Sequence, residues 1–192
     1  MARQKSELLS VDGINFQILK AIIDPVLGLG GNDENVKRLL KDDKLCRKIA
    51  ELIMAKHVIN CDVDPFVPAG WKVESHKKTG IFKWDISSIK LYLSENQQGN
   101  KSIEGNKLRK ELEKEPVLNA NVLDYLLKHP ELIPEEWKGK AIFFWGTIYR
   151  DSYGDLYVRG LSWGGDHWGW SCRWLDDDFY RNGPAACSQV SN

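Results

Sequence analysis

The sequence predicts an α+β fold, and three observations carry that prediction. Apolar residues recur at helical spacing over 13–24 and again over 34–57. A proline-punctuated connector then leads into strand-like segments and two short helices, and after Trp137 the apolar period changes from 3.6 to two. An order of helices, then strand, helix, helix and a run of antiparallel strands belongs to the α+β class. At 192 residues the chain is long enough for one core-bearing domain with a helical extension. The change of pattern places a boundary near residue 60, dividing an N-terminal helical segment, 1–60, from an α+β domain, 61–192.

In the first helices Leu45, Ile49, Leu52 and Ile53 share one face, while Lys41, Lys44, Arg47 and Lys48 fall largely elsewhere. The intervening LGLGGND stops one helix and restarts another, with Asn32 or Asp33 as N-cap. It lacks the GK[ST] ending of a phosphate loop and reads as a turn. The connector DPFVPAGW, from Asp64, enters strands around 71–73 and 81–84. Helices are expected over 103–112 and 122–127, the second capped by Asn119 or Asn121 and closed before Pro130. AIFFWGTIY is apolar on both faces, as in a strand covered on both sides. DSYGD turns into LYVRGLSW, and GGD turns into HWGWSCRW.

Composition excludes several classes. Hydrophobic residues at 42% and charged residues at 28% are those of a globular chain rather than a fibrous, disordered or membrane-spanning one. A formal net charge of zero gives no global attraction for nucleic acid or anionic lipid, and the lysines at 37, 41, 44, 48, 56, 77 and 78 are interleaved with acids, the pattern of a solvated face. Cys46, Cys61, Cys172 and Cys187 lack CxxC spacing and read as ordinary thiols. His57, His76 and His129 have no ligand spacing and are expected at the surface or at helix ends. The start, MARQKSELLSVDG, has no apolar core of a signal peptide, and no stretch approaches a transmembrane helix. A cytoplasmic, virion-associated or non-classically exported cell-surface location is expected.

The last quarter is a different kind of sequence. Every lysine lies before residue 141, whereas five of the eight tryptophans lie from Trp145 to Trp174. In HWGWSCRWL the alternation puts Trp168, Trp170, Cys172 and Trp174 on one face and His167, Gly169, Ser171 and Arg173 on the other. The first face is expected to be a buried framework with Trp145 and Trp163, the second free to vary. Outside its Trp and Leu positions, the stretch 160–183 uses only Gly, Ser, Asp, His, Cys, Arg, Phe, Tyr and Asn, residues whose codons can be reached from asparagine codons by changing adenines.

The run WKGKAIFFWGTIYRDSYGDLYVRGLSWGGDHWGWSCRWLDDDFYRNGPAA resembles the C-terminal variable region of diversity-generating retroelement target proteins of bacteria, archaea and their viruses. In those systems an error-prone reverse transcriptase randomises adenines of a template repeat, and the copy replaces the end of the target gene. The resemblance covers 61–192, most specifically 137–187, with the variable region at about 157–185. It implies a C-type lectin fold of the variety shared with formylglycine-generating enzymes, no cofactor, no enzymatic activity, and a binding surface for varied macromolecular targets, proteins above all. The diversified positions it implies are Gly160, Ser162, Gly164, Asp166, His167, Gly169, Ser171, Arg173, Asp176, Asp177, Tyr180, Arg181 and Asn182. His167, Ser171, Arg173 and Tyr180 would supply donors, acceptors and an aromatic anchor, in keeping with the Tyr, Arg, Ser and Gly usage of variable binding surfaces.

Two rival chemistries start from the same residues. Asp176, Asp177 and Asp178 beside His167 suggest calcium, as in a carbohydrate-binding lectin, but three successive acids cannot all enter one cage from a strand, and no D-x-D-x-D-G is present. A thiol enzyme of the formylglycine-generating type would use Cys172 with a placed base; alternation sets Cys172 and His167 on opposite faces, and Cys172 reads as a small hydrophobe.

Overall fold

A computed structural model describes residues 12–38, 41–54 and 57–189, leaving out the side chains of several residues in the first and third helices. The chain divides into two compact units, Met1–Ala55 and Lys56–Asn192. Expected features at residues 1–11, 39–40 and 55–56, and the side chains of Leu52 and Ile53, lie outside what is described.

The first unit contains α1 (Asp12–Gly28), α2 (Asp33–Lys37) and α3 (Asp43–Met54). Asn32 caps α2: its side chain accepts from the amides of Glu34 and Asn35, and the Asn35 side chain closes the capping box. The helical pattern over 34–57 is therefore two helices. The Asp42 carboxylate accepts from the Leu45 amide at 2.9 Å, starting α3 afresh, and hydrogen bonding lowers the pKa of that carboxyl below its usual range.

The second unit is mixed α+β. Its main sheet has the order β4 (Ile89–Tyr92), β10 (Ala185–Ser188), β6 (Ala141–Arg150), β7 (Leu156–Trp163), β8 (Trp168–Trp174), with β2 (Lys72–His76) also paired to β6. The sheet is antiparallel except where β10 meets β6. Two small sheets pair β1 (Val58–Asn60) with β3 (Ile81–Lys83), and β5 (Ile103–Glu104) with β9 (Asp178–Phe179). The predicted helix over 103–112 starts two residues late because Ile103 and Glu104 pair with Phe179 and Asp178, leaving α4 as Gly105–Leu112. The second helix, α5 (Ala120–Lys128), is capped by Asn119 and stops at His129, before Pro130.

β6 is buried on both faces, as its sequence predicts, and separates two cores. On one side Ile142, Phe144 and Leu161 meet Val122, Leu123 and Leu126 of α5 with Trp84 and Trp137. On the other, Phe143, Trp145 and Ile148 meet Leu108 and Leu112 of α4 with Leu175 and Phe179. Gly146 lets the strand approach Asn119 closely: a Cβ there would lie 2.9 Å from the Asn119 backbone. Asn119 donates its side-chain amide to the carbonyls of Cys61 (2.8 Å) and Lys77 (3.0 Å). Thr147 joins this hub, its hydroxyl oxygen accepting from the Ala120 amide and bonding His76 Nδ1. His76 and His57 thus have internal partners, His76 also reaching the Cys61 carbonyl and His57 bonding the Tyr125 hydroxyl, whereas His129 sits at a helix end, the C-cap of α5, with the exposed Glu131 as its side-chain partner.

Burial pushes the Cys187 thiol from 9.0 up to about 12. Between those values the unfolded chain has released a proton that the folded chain keeps, so stability falls as pH rises through this window. Alkaline denaturant titrations are expected to show this fall, and Cys187→Ala should reduce its slope; an unchanged slope would refute the assignment.

Candidate functional site

The C-terminal half of the second unit places the tryptophan-rich stretch at the edge of the main sheet, on β7, β8 and the segment leading to β9. The β7/β8 register runs without interruption from Tyr157 opposite Trp174 to Trp163 opposite Trp168. Paired residues of an antiparallel ladder share a face. Trp168, Trp170, Cys172 and Trp174 therefore lie with Tyr157, Arg159, Leu161 and Trp163, on the side of α5. Gly169, Ser171 and Arg173 lie with Ser162, Gly160 and Val158, on the side of α4.

Alternation is as predicted, but burial is not divided as expected. Trp145 is buried, yet Trp163, Trp168 and Trp174 are only half-buried, and Trp170 is 42% exposed. β8 is the last strand of the sheet, so the layer beyond it covers its indoles only in part. Cys172 is exposed, not a packed small hydrophobe, and partial desolvation raises its thiol pKa against the pull of the nearby Arg159 charge. The opposite face is not free either. Ser171 and Arg173 are half-buried, and Arg173 donates to the Asp178 carbonyl at 2.6 Å while its guanidinium lies 5.6 Å from the Phe179 ring centre.

Gly160 is corrected outright as a surface position. It is buried, and a Cβ there would sit 2.8 Å from the Phe143 ring and 3.0 Å from the Ile142 carbonyl oxygen. The other small residues of the stretch differ. A Cβ at Gly164 meets its nearest neighbour at 3.6 Å, and at Gly169 at 4.0 Å, ordinary contacts. Gly165 has φ +103°, which any side chain would strain.

Gly164, Asp166, His167, Asp176, Asp177, Tyr180, Arg181 and Asn182 are exposed, and Ser162 and Gly169 are half-buried. Asp166 and His167 at the β7/β8 turn bond each other, which holds the Asp166 carboxyl below its usual pKa. Beyond β8 the acids diverge: Asp176 accepts from the Asn106 side chain of α4 at 2.6 Å, while Arg173 is tied to the Asp178 backbone. Asp176, Asp177, Asp178 and Tyr180 line a cleft of about 830 Å³ with Glu104, Lys107 and Glu111. Among the described residues no group of three or more His, Cys, Asp and Glu is placed to hold a metal. No helix among them is long and apolar enough to cross a membrane.

The second feature of this edge was not anticipated. Arg159, on β7, is 1% exposed and packs against two aromatic rings that meet each other edge-on, 4.9 Å from the centre of Phe66 and 4.7 Å from that of Trp170. Its guanidinium forms an ion pair at 2.8 Å with Asp124 of α5 and lies 3.5 Å from the Tyr149 hydroxyl. Phe66, Trp170, Val63, Asp64, Tyr125 and Lys128 are among the walls of an adjoining groove of about 570 Å³. One sequence signal pointed here: Arg159 is the lone charge inside the otherwise apolar and small run LYVRGLSW. Its partners Asp124 and Phe66 are remote in sequence and carry no pattern linking them to it. Comparison of the chain with protein-family models, with curated proteins and with solved structures yields no match.

Proposed function

We propose that the protein is a non-enzymatic binding module whose C-terminal region is diversified, as in the retroelement target proteins its sequence resembles, on a C-type lectin-type fold. The observation that carries this reading is the sorting of positions within one short stretch. Gly164 and Gly169 accept a Cβ without conflict, whereas Gly165 and Gly183, absent from the implied set, are held by a positive φ and by Phe143 at 3.1 Å. With Ser162, Asp166, His167, Asp176, Asp177, Tyr180, Arg181 and Asn182, the open positions run along the β7/β8 turn and the exit from β8. Substitution there touches no core, so sequence can change without loss of the fold. Gly160 falls out of the set, and Arg173 is held by Asp178 rather than offered to a ligand.

The fold assignment draws support from the two helices packed on an antiparallel sheet and from the last strand, β10, returning beside β4, the first strand of the main path. Binding is favoured over thiol catalysis by the Cys172 thiol, whose pKa moves up, away from the activated range. The target is a macromolecule, protein by preference, engaging rigid strands and their connecting turns.

Two measurements test the reading. The genomic locus is expected to carry an imperfect repeat of the C-terminal coding segment, differing almost only at adenines, next to a reverse transcriptase gene. A library randomised at the ten open positions should keep most members folded, with Tm values within a few degrees of the parent. A locus without the repeat removes diversification; a mostly unfolded library removes the tolerant surface.

A further inference from the structure

β8 is the terminal strand of the main sheet, and its outer backbone edge pairs with no other strand among the described residues. The Leu175 amide donates to the Leu156 carbonyl at one end of the β7/β8 ladder, and the Gly164 amide donates to the His167 carbonyl at the other. Hydrogen-bonded pairs alternate along an antiparallel ladder, so His167, Gly169, Ser171 and Arg173 turn their backbone groups toward β7. Trp168, Trp170 and Cys172 turn theirs away, and among the described residues none of those amides or carbonyls has a backbone partner.

Such an edge is normally blunted by proline, lysine, an inward charge or a bulge. Here the ladder is unbroken over seven pairs, the strand holds neither proline nor lysine, and its one charge, Arg173, is tied down. We infer that β8 is a β-augmentation site, which pairs with an extended segment of a partner protein that is apolar at alternate positions and flanked by basic residues.

Each part of that description has a counterpart in the structure. Only another strand presents amides and carbonyls at the repeat that Trp168, Trp170 and Cys172 require. A residue opposite Trp170 on the added strand would share its face and project its side chain into the groove walled by Val63, Phe66 and Trp170, all exposed apolar residues. Exposed acids stand at both ends of the strand, Asp166 before it and Asp176 to Asp178 after it, while on the groove itself Asp64 is balanced by Lys128. These acids favour basic flanks on the partner. Backbone pairing is indifferent to side-chain identity, so it would persist while neighbouring positions change. The inference goes beyond the diversified surface and stands whether or not those positions vary.

The probe is the synthetic peptide KTVTFTVTK, offered to the full chain, together with two forms N-methylated on alternate residues. The parent peptide is expected to bind and to slow amide exchange at Trp170 and Cys172. One N-methylated form should lose affinity by about tenfold or more and the other should keep it, because only one set of its amides faces β8. Cys172→Pro removes one outward amide without touching the β7 ladder and should weaken the parent peptide similarly. The N-methylated pair keeps the test valid even if that variant is unstable. No binding at about 1 mM peptide, equal binding of both methylated forms, or a chain dimer that Cys172→Pro dissociates would overturn the proposal, the last by assigning the edge to a second copy.

Discussion

Arg159→Ala is expected to destabilise the second unit by about 3 to 5 kcal/mol, the magnitude typical of removing one partner from a buried ion pair. Three losses coincide at this site. The Asp124 carboxylate, 2.8 Å from the guanidinium, keeps its charge at the sheet–helix boundary without a counter-ion. Phe66 and Trp170, which meet each other edge-on, both lose the cation that packs against their rings. The edge strand also loses a contact that holds it, because Trp170 on β8 leans on Arg159. Arg159→Met separates the causes, restoring much of the volume while leaving Asp124 unpaired, and the double variant Arg159→Met with Asp124→Leu should recover most of the loss. Urea unfolding at low and high salt reads the result. A loss below about 1 kcal/mol would mean that the pair behaves as a solvent-screened surface bridge.

Gly160→Asn should cost about 1 to 3 kcal/mol or more through overpacking, whereas Gly164→Asn and Gly169→Asn should each stay within about 0.5 kcal/mol. All three glycines lie in the same short stretch, and one copy of the sequence does not tell them apart. The difference lies in what a side chain meets. At Gly160 a Cβ is pressed between the Phe143 ring at 2.8 Å and the Ile142 carbonyl at 3.0 Å, the latter being backbone that cannot rotate away. At the other two it meets nothing closer than 3.6 Å. Denaturation midpoints of the three variants decide the matter. Equal midpoints would place Gly160 back on the tolerant surface and undercut the geometric sorting on which the proposed function rests.

Both predictions turn on the same division of labour between local pattern and tertiary contact. Periodicity located β6 as a strand buried on both faces and put the indoles of β8 on a common side, because those properties follow from the two-residue repeat of a strand. Capping chemistry narrowed the caps to Asn32 or Asp33 and to Asn119 or Asn121, because an N-cap acts on amides two or three residues away, and the structure selects Asn32 and Asn119. Short range is what these features share. Local pattern marks none of β1, β4, β5, β9 and β10: they are brief, and each gains its stability from a partner remote in the chain, Ile59 with Phe82, Cys187 with Lys90 and Phe179 with Ile103.

The candidate site divides the same way. Its exposed polar positions were legible, since the missing residue types mark them without reference to folding. The depth at which each sits was not. Trp170 is exposed because β8 is the outermost strand, and Gly160 is buried because β7 is internal and packs it on Phe143 of β6; both follow from strand order, a property of the assembled sheet. The Arg159 site depends on Phe66, Asp124 and Trp170 meeting at one point, and no spacing encodes that meeting. By itself the sequence determined the alternation, the candidate helix caps and the chemistry available at the C-terminal edge. Only the tertiary structure decided which of those groups water can reach, because burial is set by the neighbours that the fold brings in from elsewhere in the chain.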